Sequence, residues 1–376
     1  MQAAEQRDQL LREGFVLLPG MVDGDELQSV RQSVDAIVDR APTRGRVTLT
    51  EWVDASTAAA VEFMVDDRLF QSSRKLMEAE NLACLGMWSL CQAGTGWHRD
   101  IHPYDMAPLD GLQEDIHHNG PPYLQWNVAL YDDDYFHVIP RSHTRRNTEK
   151  ERGIERRDGP VELPGMTCLD LKAGDGAVCI NNLLHCAKPS GARKRRTLHL
   201  GFEGFGIRNF VHFNRADTLG TVFTKHLAPW AAERFEKSER LYDGRQQQVE
   251  KLFRAILDRD RDLFSERLAG LHTSPHARMT TLVVLSKLAQ GLLDYSCNSI
   301  TDRPRGWRTD QMASRFTAAE RHALWDCFRT LDEKLQAEEE LYESLFQSAP
   351  TKYYFNEMPV GFEVDDFIAS WPAHPT

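Results

Sequence analysis

Trp97-His98-Arg99-Asp100 places an imidazole and a carboxylate two residues apart. In extended backbone, residues two apart share a face, so both groups can meet one ion. A His-x-Asp pair arises easily by chance and gains weight only from a third ligand. His185 is the best candidate. It follows His98 by 87 residues, in Asn181-Asn182-Leu183-Leu184-His185-Cys186-Ala187, just after the apolar run 176–180. Two imidazoles and one carboxylate occupy one face of an octahedral metal and leave three positions open, the ligand set of non-haem Fe(II) oxygenases. The open positions suit a bidentate 2-oxo acid and dioxygen. Eleven residues beyond His185 stands Arg196, directly before an apolar strand pattern. A guanidinium matches a carboxylate bidentately and stays charged. Arg196 at the mouth or inside of a barrel would hold the distal carboxylate of such a co-substrate. Arg193, Lys194 and Arg195 read as a solvated basic turn.

The elements that must position these residues change along the chain. Residues 4–40 read as two helices around a buried strand closed by a turn, 14–20, with Leu27, Val30, Val34, Ile37 and Val38 on one helical face and Asp23 near the N-cap. From about Arg46 the pattern becomes β. Segments 47–53, 83–91, 123–131, 136–139, 167–171, 176–180 and 196–202 are rich in Val, Leu, aromatic residues and Cys, and are separated by Gly, Asp and Pro. Short strands without long intervening helices predict a mainly β core, a double-stranded β-helix (jelly roll, cupin-like). The non-periodic insertion 100–122 reads as a functional lid. After about Ala216 the segments 227–242, 246–268, 277–295 and 318–346 have helical spacing. The expected division is 1–215 for the catalytic domain and 216–376 for a helical extension, α+β overall. That extension would serve as lid, homodimer interface or partner surface.

The 376 residues, 41% hydrophobic and 27% charged, are enough for a large core. The net charge of −11 opposes a non-specific grip on nucleic-acid phosphates. Seven cysteines, none in a CxxC pair, read as reduced thiols of a cytoplasmic protein. The charged N-terminal stretch has no signal-peptide core, and the apolar stretch 279–293 is too short and too polar to span a bilayer.

Taken in order, several pieces resemble the phytanoyl-CoA dioxygenase family of Fe(II)/2-oxoglutarate oxygenases. They are the opening Leu11-Arg12-Glu13-Gly14-Phe15-Val16-Leu17-Leu18-Pro19-Gly20, the motif Gly96-Trp97-His98-Arg99-Asp100, the strand Leu124-Gln125-Trp126-Asn127-Val128-Ala129-Leu130, and Phe136-His137-Val138-Ile139-Pro140-Arg141-Ser142-His143. In the last, Arg141 stands where the family usually has Gly. The resemblance covers roughly residues 8–210. It implies that His98, Asp100 and His185 bind iron, that Arg196 binds 2-oxoglutarate, and that Trp126 and Asn127 line the co-substrate. Alternation sends Trp126 one way and Asn127 the other, and the sequence leaves open which face is inward. Ala187 replaces a hydroxylic residue frequent in the family, and Thr197 or Ser190 could substitute for it. Asp100 separates the chain from related halogenases, which lack the carboxylate. The implied activity is hydroxylation of a C–H bond in a small-molecule substrate, with succinate and carbon dioxide formed. The alternatives are a desaturase, epoxidase or cyclase on the same site, and a non-catalytic metal-binding jelly roll. Of the remaining residues, His102, Tyr104 and Asp105 suit substrate contact or an ordinary loop equally. His143 reads as structural, His199 as a satisfied core residue, and Arg141 as surface charge.

Overall fold

The computed structural model describes residues 3–42, 45–90, 94–99, 120–121, 123–145, 147–152, 159–180, 182–188, 194–205, 221–271, 275–296, 307–336, 339–340, 354–355 and 361–373. Asp100 and almost all of the insertion 100–122 lie outside them, as do His102, Tyr104, Asp105 and Ser190.

Helix α1 (Ala3–Glu13) leads through Gly14 into strand β1 (Phe15–Leu18) and helix α2 (Gly24–Arg40). Asp23 is the N-cap of α2, without a side-chain capping bond. The expected strand 47–53 stops early: β2 is Arg46–Thr48, and Leu49–Trp52 turns into helix α3. Helices α4 (Ala58–Met64) and α5 (Asp67–Met77) follow. The remaining strands of the core are β3 (Asn81–Leu90), β4 (Thr95–His98), β5 (Tyr123–Ala129), β6 (Phe136–Val138), β7 (Thr167–Cys168), β8 (Gly176–Ile180), β9 (His185–Ala187) and β10 (Thr197–Phe205). Pattern reading misses β4 and β9 because each is only three or four residues long and carries the ligand residues in place of an apolar alternation.

All pairings are antiparallel. One six-stranded sheet runs β1-β8-β5-β10-β3-β2, and a four-stranded sheet runs β4-β9-β6-β7. Alternation divides the larger sheet cleanly. Leu124, Trp126, Val128, Val178, Ile180, Leu198, Leu200 and Phe202 enter the main core, which they share with α2, α4 and α5. Ala129, Ala177 and Cys179 point the other way and pack with Phe136 and Val138 of the smaller sheet. The two sheets therefore face each other across that second cluster, and polar residues in phase with it look into the space between them.

The chain then becomes helical: α7 (Pro229–Leu257), α8 (Arg261–Leu271), α9 (Pro275–Ser296), α10 (Trp307–Ser314), α11 (Ala318–Gln336) and α12 (Val364–Ala369), after a short α6 (Glu149–Arg152) within the sheet region. Residues 227–257 do not divide near Gly244, as the sequence suggests. The helix runs through and ends at Asp258, where Arg259 takes a left-handed φ of 58°. Phe235, Val249, Leu252, Phe253 and Ile256 of α7 belong to the same core as the outer face of the large sheet. Among the described residues, no helix is long and apolar enough to cross a membrane.

Candidate active site

His98 ends β4 and His185 begins β9, and the two are register partners. Their ring centroids are 4.3 Å apart, with planes tilted by 52°. Each ring is fixed in the same way. Nδ1 of His98 is 2.8 Å from Gly96 O, and Nδ1 of His185 is 2.9 Å from Leu183 O. A carbonyl can only accept, so Nδ1 carries a proton in both rings. Metal-binding histidines are commonly oriented by such a bond. Phe136 packs 5.5 Å from the His185 ring, and His185 is buried. The third expected ligand, Asp100, lies outside the described residues. Among those described, no group of three metal-binding side chains occurs. Two imidazoles side by side, each with Nδ1 tied to a backbone carbonyl, are donors that fit a divalent transition metal.

The chain around this pair is held by a buried cation. Arg99 is fully inaccessible and points away from the space between the sheets. Its Nε and one terminal nitrogen donate to Asn147 Oδ1 at 2.9 and 2.7 Å, and the other terminal nitrogen donates to Ser142 O at 2.8 Å and to Asn182 O. Burial pulls its pKa down to about 9, against the field of Glu151, with Arg145 adding to the depression. The Asn182 carbonyl ties it to the turn that delivers His185. That turn is pinned again where Leu184 N donates to Ser142 Oγ and Ile139 N donates to Leu184 O. The segment after Ile139 is thus a bracket for the distal histidine. Arg141 within it has φ of 66°, a left-handed conformation that glycine adopts without steric cost. Its side chain is exposed and forms a two-pronged ion pair with Glu13. His143, as expected, is structural. Its Nε2 lies 2.9 Å from Leu11 O, and burial lowers its pKa.

The structure decides which face of the large sheet is inward, and this changes two assignments. Trp126 faces the helices, with Nε1 donating to Ser73 Oγ at 2.9 Å, so it does not line the inter-sheet space. Asn127 does. Its Oδ1 is 3.1 Å from Nδ1 of His199, on the neighbouring strand. Arg196 also lies on the helix side. Its Nε donates to Asp35 of α2 at 2.9 Å, where Lys194 and Tyr131 converge as well. The inward cation is Arg195, which sequence reading assigned to a solvated turn. It is 2% exposed, and its Nε donates to Asp133 Oδ2 at 2.9 Å. Its guanidinium lies 4.9 Å from the centre of the Tyr135 ring. Thr197, in phase with Arg195, gives its hydroxyl to the same carboxylate. The missed signal is one of parity. Arg195, Thr197 and His199 alternate with Leu198, Leu200 and Phe202, and the fully apolar set must face the larger core.

No family model and no curated protein matches the chain. Solved structures similar to it include HygX from Streptomyces hygroscopicus with nickel and 2-oxoglutarate bound, 20% identical, TM-score 0.44, covering 54% of this chain and 88% of that one. The non-heme alpha ketoglutarate dependent epimerase SnoN from nogalamycin biosynthesis is 15% identical, with TM-score 0.41 over 54% of this chain and 80% of that one. AviO1 from Streptomyces viridochromogenes Tue57 is 15% identical, with TM-score 0.39 over 54% of this chain and 95% of its own. A further HygX structure carries iron.

Proposed function

We propose that the chain is an Fe(II)/2-oxoglutarate-dependent dioxygenase that hydroxylates a C–H bond of a small molecule. The observation that carries this reading is the His98–His185 pair, with both Nδ1 atoms tied to backbone carbonyls two residues upstream. Asp100, two residues after His98, completes the ligand set. The order β8-β5-β10-β3 in one sheet and β4-β9-β6-β7 in the other supports the jelly-roll reading. Iron with 2-oxoglutarate and dioxygen supplies oxidative decarboxylation, to succinate and carbon dioxide, and the cleavage of the C–H bond. The protein supplies placement and dryness. Phe136 and Val138 keep water from the imidazoles. Arg195, fixed in plane by Asp133 and Tyr135, takes the distal carboxylate through its terminal nitrogens, with Thr197 beside it. The Nδ2 of Asn127 donates to the co-substrate along the way. Residues 1–215 form the catalytic part. Residues 216–376 close it or mediate a homodimer, in a cytoplasmic protein.

Anaerobic titration with Fe(II) and 2-oxoglutarate tests this. The weak visible charge-transfer band of the chelate is expected in the parent and absent in His185→Ala. A metal-loaded, folded parent without the band overturns the reading. With a substrate in hand, product mass separates hydroxylation, a gain of one oxygen, from desaturation, a loss of two hydrogens.

A further inference from the structure

The inward face of β5 and β10 carries two buried amides that the protein leaves incomplete. Gln125 is 2% exposed and Asn127 1%. Gln125 Oε1 and Asn127 Nδ2 have no hydrogen-bond partner among the described residues. Buried polar atoms in native proteins are almost always paired with protein, water or ligand, because leaving one bare costs about 1–3 kcal/mol. Between the two amides lies His199, whose Nδ1 is 3.1 Å from Asn127 Oδ1 and 3.5 Å from Gln125 Nε2. One ring nitrogen cannot donate to the first and accept from the second in the same tautomer. The shorter contact requires Nδ1–H, and that leaves Nε2 of Gln125 facing a donor. Turning the amide over would aim Oε1 at His199 and leave Nε2 facing the space instead. In either orientation, one end of Gln125 needs a partner that the described residues do not supply.

Position along the strands separates the two amides. Strand β8 ends at Ile180, and only five residues later the chain has reached His185. Ile180 pairs with Leu124, so the imidazoles lie at the Tyr123 end of β5. The other end, at Ala129, adjoins Thr197 and then Arg195. Gln125 therefore lies toward the imidazoles, and Asn127 lies further toward Arg195. A 2-oxo dicarboxylate offers only acceptors. It meets the donors Asn127 and Arg195, but it cannot satisfy Gln125 Oε1 where that atom faces the space. A hydroxyl both donates and accepts, and so completes Gln125 in either orientation. The surroundings are polar too. A Cβ on Gly201, the register partner of Gln125, would lie 1.9 Å from the Tyr123 hydroxyl, which places that phenol on the same face.

We infer that Gln125 is a substrate-recognition residue and that the substrate presents a hydroxyl group to it, as a polyol or sugar-like molecule does and an acyl chain does not. This rests on the oxygenase reading above. A site built to pair a hydroxyl discriminates strongly against ligands lacking one.

The test uses Zn(II)-loaded full-length protein with 2-oxoglutarate, and saturation-transfer NMR with myo-inositol and decanoate as probes. Transfer to myo-inositol is expected in the parent. In Gln125→Met, close in shape but without the amide, it falls about ten-fold, while calorimetry finds 2-oxoglutarate affinity unchanged. Gln125→Asn keeps an amide, guards against loss of fold, and gives an intermediate signal. The inference is overturned by no transfer to myo-inositol in the parent, by undiminished transfer in Gln125→Met, by stronger transfer to decanoate, or by weakened 2-oxoglutarate binding in Gln125→Met. The parent's own 2-oxoglutarate titration reads the oxygenase proposal separately, since a parent that binds none fails that reading whatever the polyol does.

Discussion

Two neighbouring arginines have opposite surroundings, and substitution should separate them. Arg195→Gln is expected to weaken 2-oxoglutarate binding by roughly 10–100-fold, the loss of one charge-assisted hydrogen bond or two. Arg196→Gln gives up the Asp35 pair and leaves that affinity unchanged; calorimetric titration of both variants checks it. Arg99 lies outside the inter-sheet space, yet it ties the end of β4 to the His185 turn. Arg99→Met strands several buried acceptors and should cost on the order of 3 kcal/mol in denaturant unfolding. The residue types at the site were legible in the sequence wherever spacing carries them, as for His98 and His185. Which of Arg195 and Arg196 faces inward was not, because a one-residue phase shift reverses every side chain on a strand. Only the packing of Leu198, Leu200 and Phe202 fixes that phase. The same holds for Trp126 and Asn127.

Among the elements, the junction of α1 and β1 is closely packed against the segment that carries His185. Gly14 has φ of 86°, and a Cβ there would lie 2.6 Å from both His143 Nδ1 and Leu183 Cδ1. Gly14→Ala therefore combines left-handed strain with overpacking, at about 1–3 kcal/mol each. Because Leu183 O holds His185 Nδ1, the variant should also bind Fe(II) more weakly, and a melt with and without metal reads both effects. Helix α2 is fastened to the large sheet through Asp35. Burial alone would raise the pKa of this carboxyl, but hydrogen bonds from Lys194 and Tyr131 and the charges of Lys194 and Arg196 bring it below the usual value. A lowered native pKa gives stability that is present above the ordinary carboxylate range, near pH 4, and is lost as the pH falls through the native value. Asp35→Asn should thus flatten the decline in stability below about pH 4 that the parent shows in acid denaturation. Helices α1, α2, α7–α9 and α11 and most strands followed from periodicity, whereas α10 did not. Strands β4 and β9 did not, since elements this short are set by pairing with neighbours rather than by their own pattern.

Over the whole molecule, the helical third and the sheets are joined by buried charge as well as by apolar packing. Glu203 of β10 accepts from Tyr242 Oη at 2.8 Å and from Arg245 of α7, and all three are 5% exposed or less. Burial, then the charge of Glu203, raises the Tyr242 pKa well above its usual value, so the phenol keeps its proton. Glu203→Ala leaves Arg245 without its carboxylate and should cost about 3–5 kcal/mol. With the core continuous from the large sheet into α7, unfolding of that variant should remain one transition at lower temperature in calorimetry; a split into two would show separable halves. The N-terminal strand β1 occupies the edge of the large sheet and pairs with β8, about 160 residues later in the chain. At a synthesis rate of about 5–20 residues per second, Phe15-Val16-Leu17-Leu18 must wait roughly 8–30 s for the segment that covers it. Throughout that interval the nascent chain carries an apolar strand with no ladder partner, open to aggregation and to chaperone capture at the ribosome before either sheet exists.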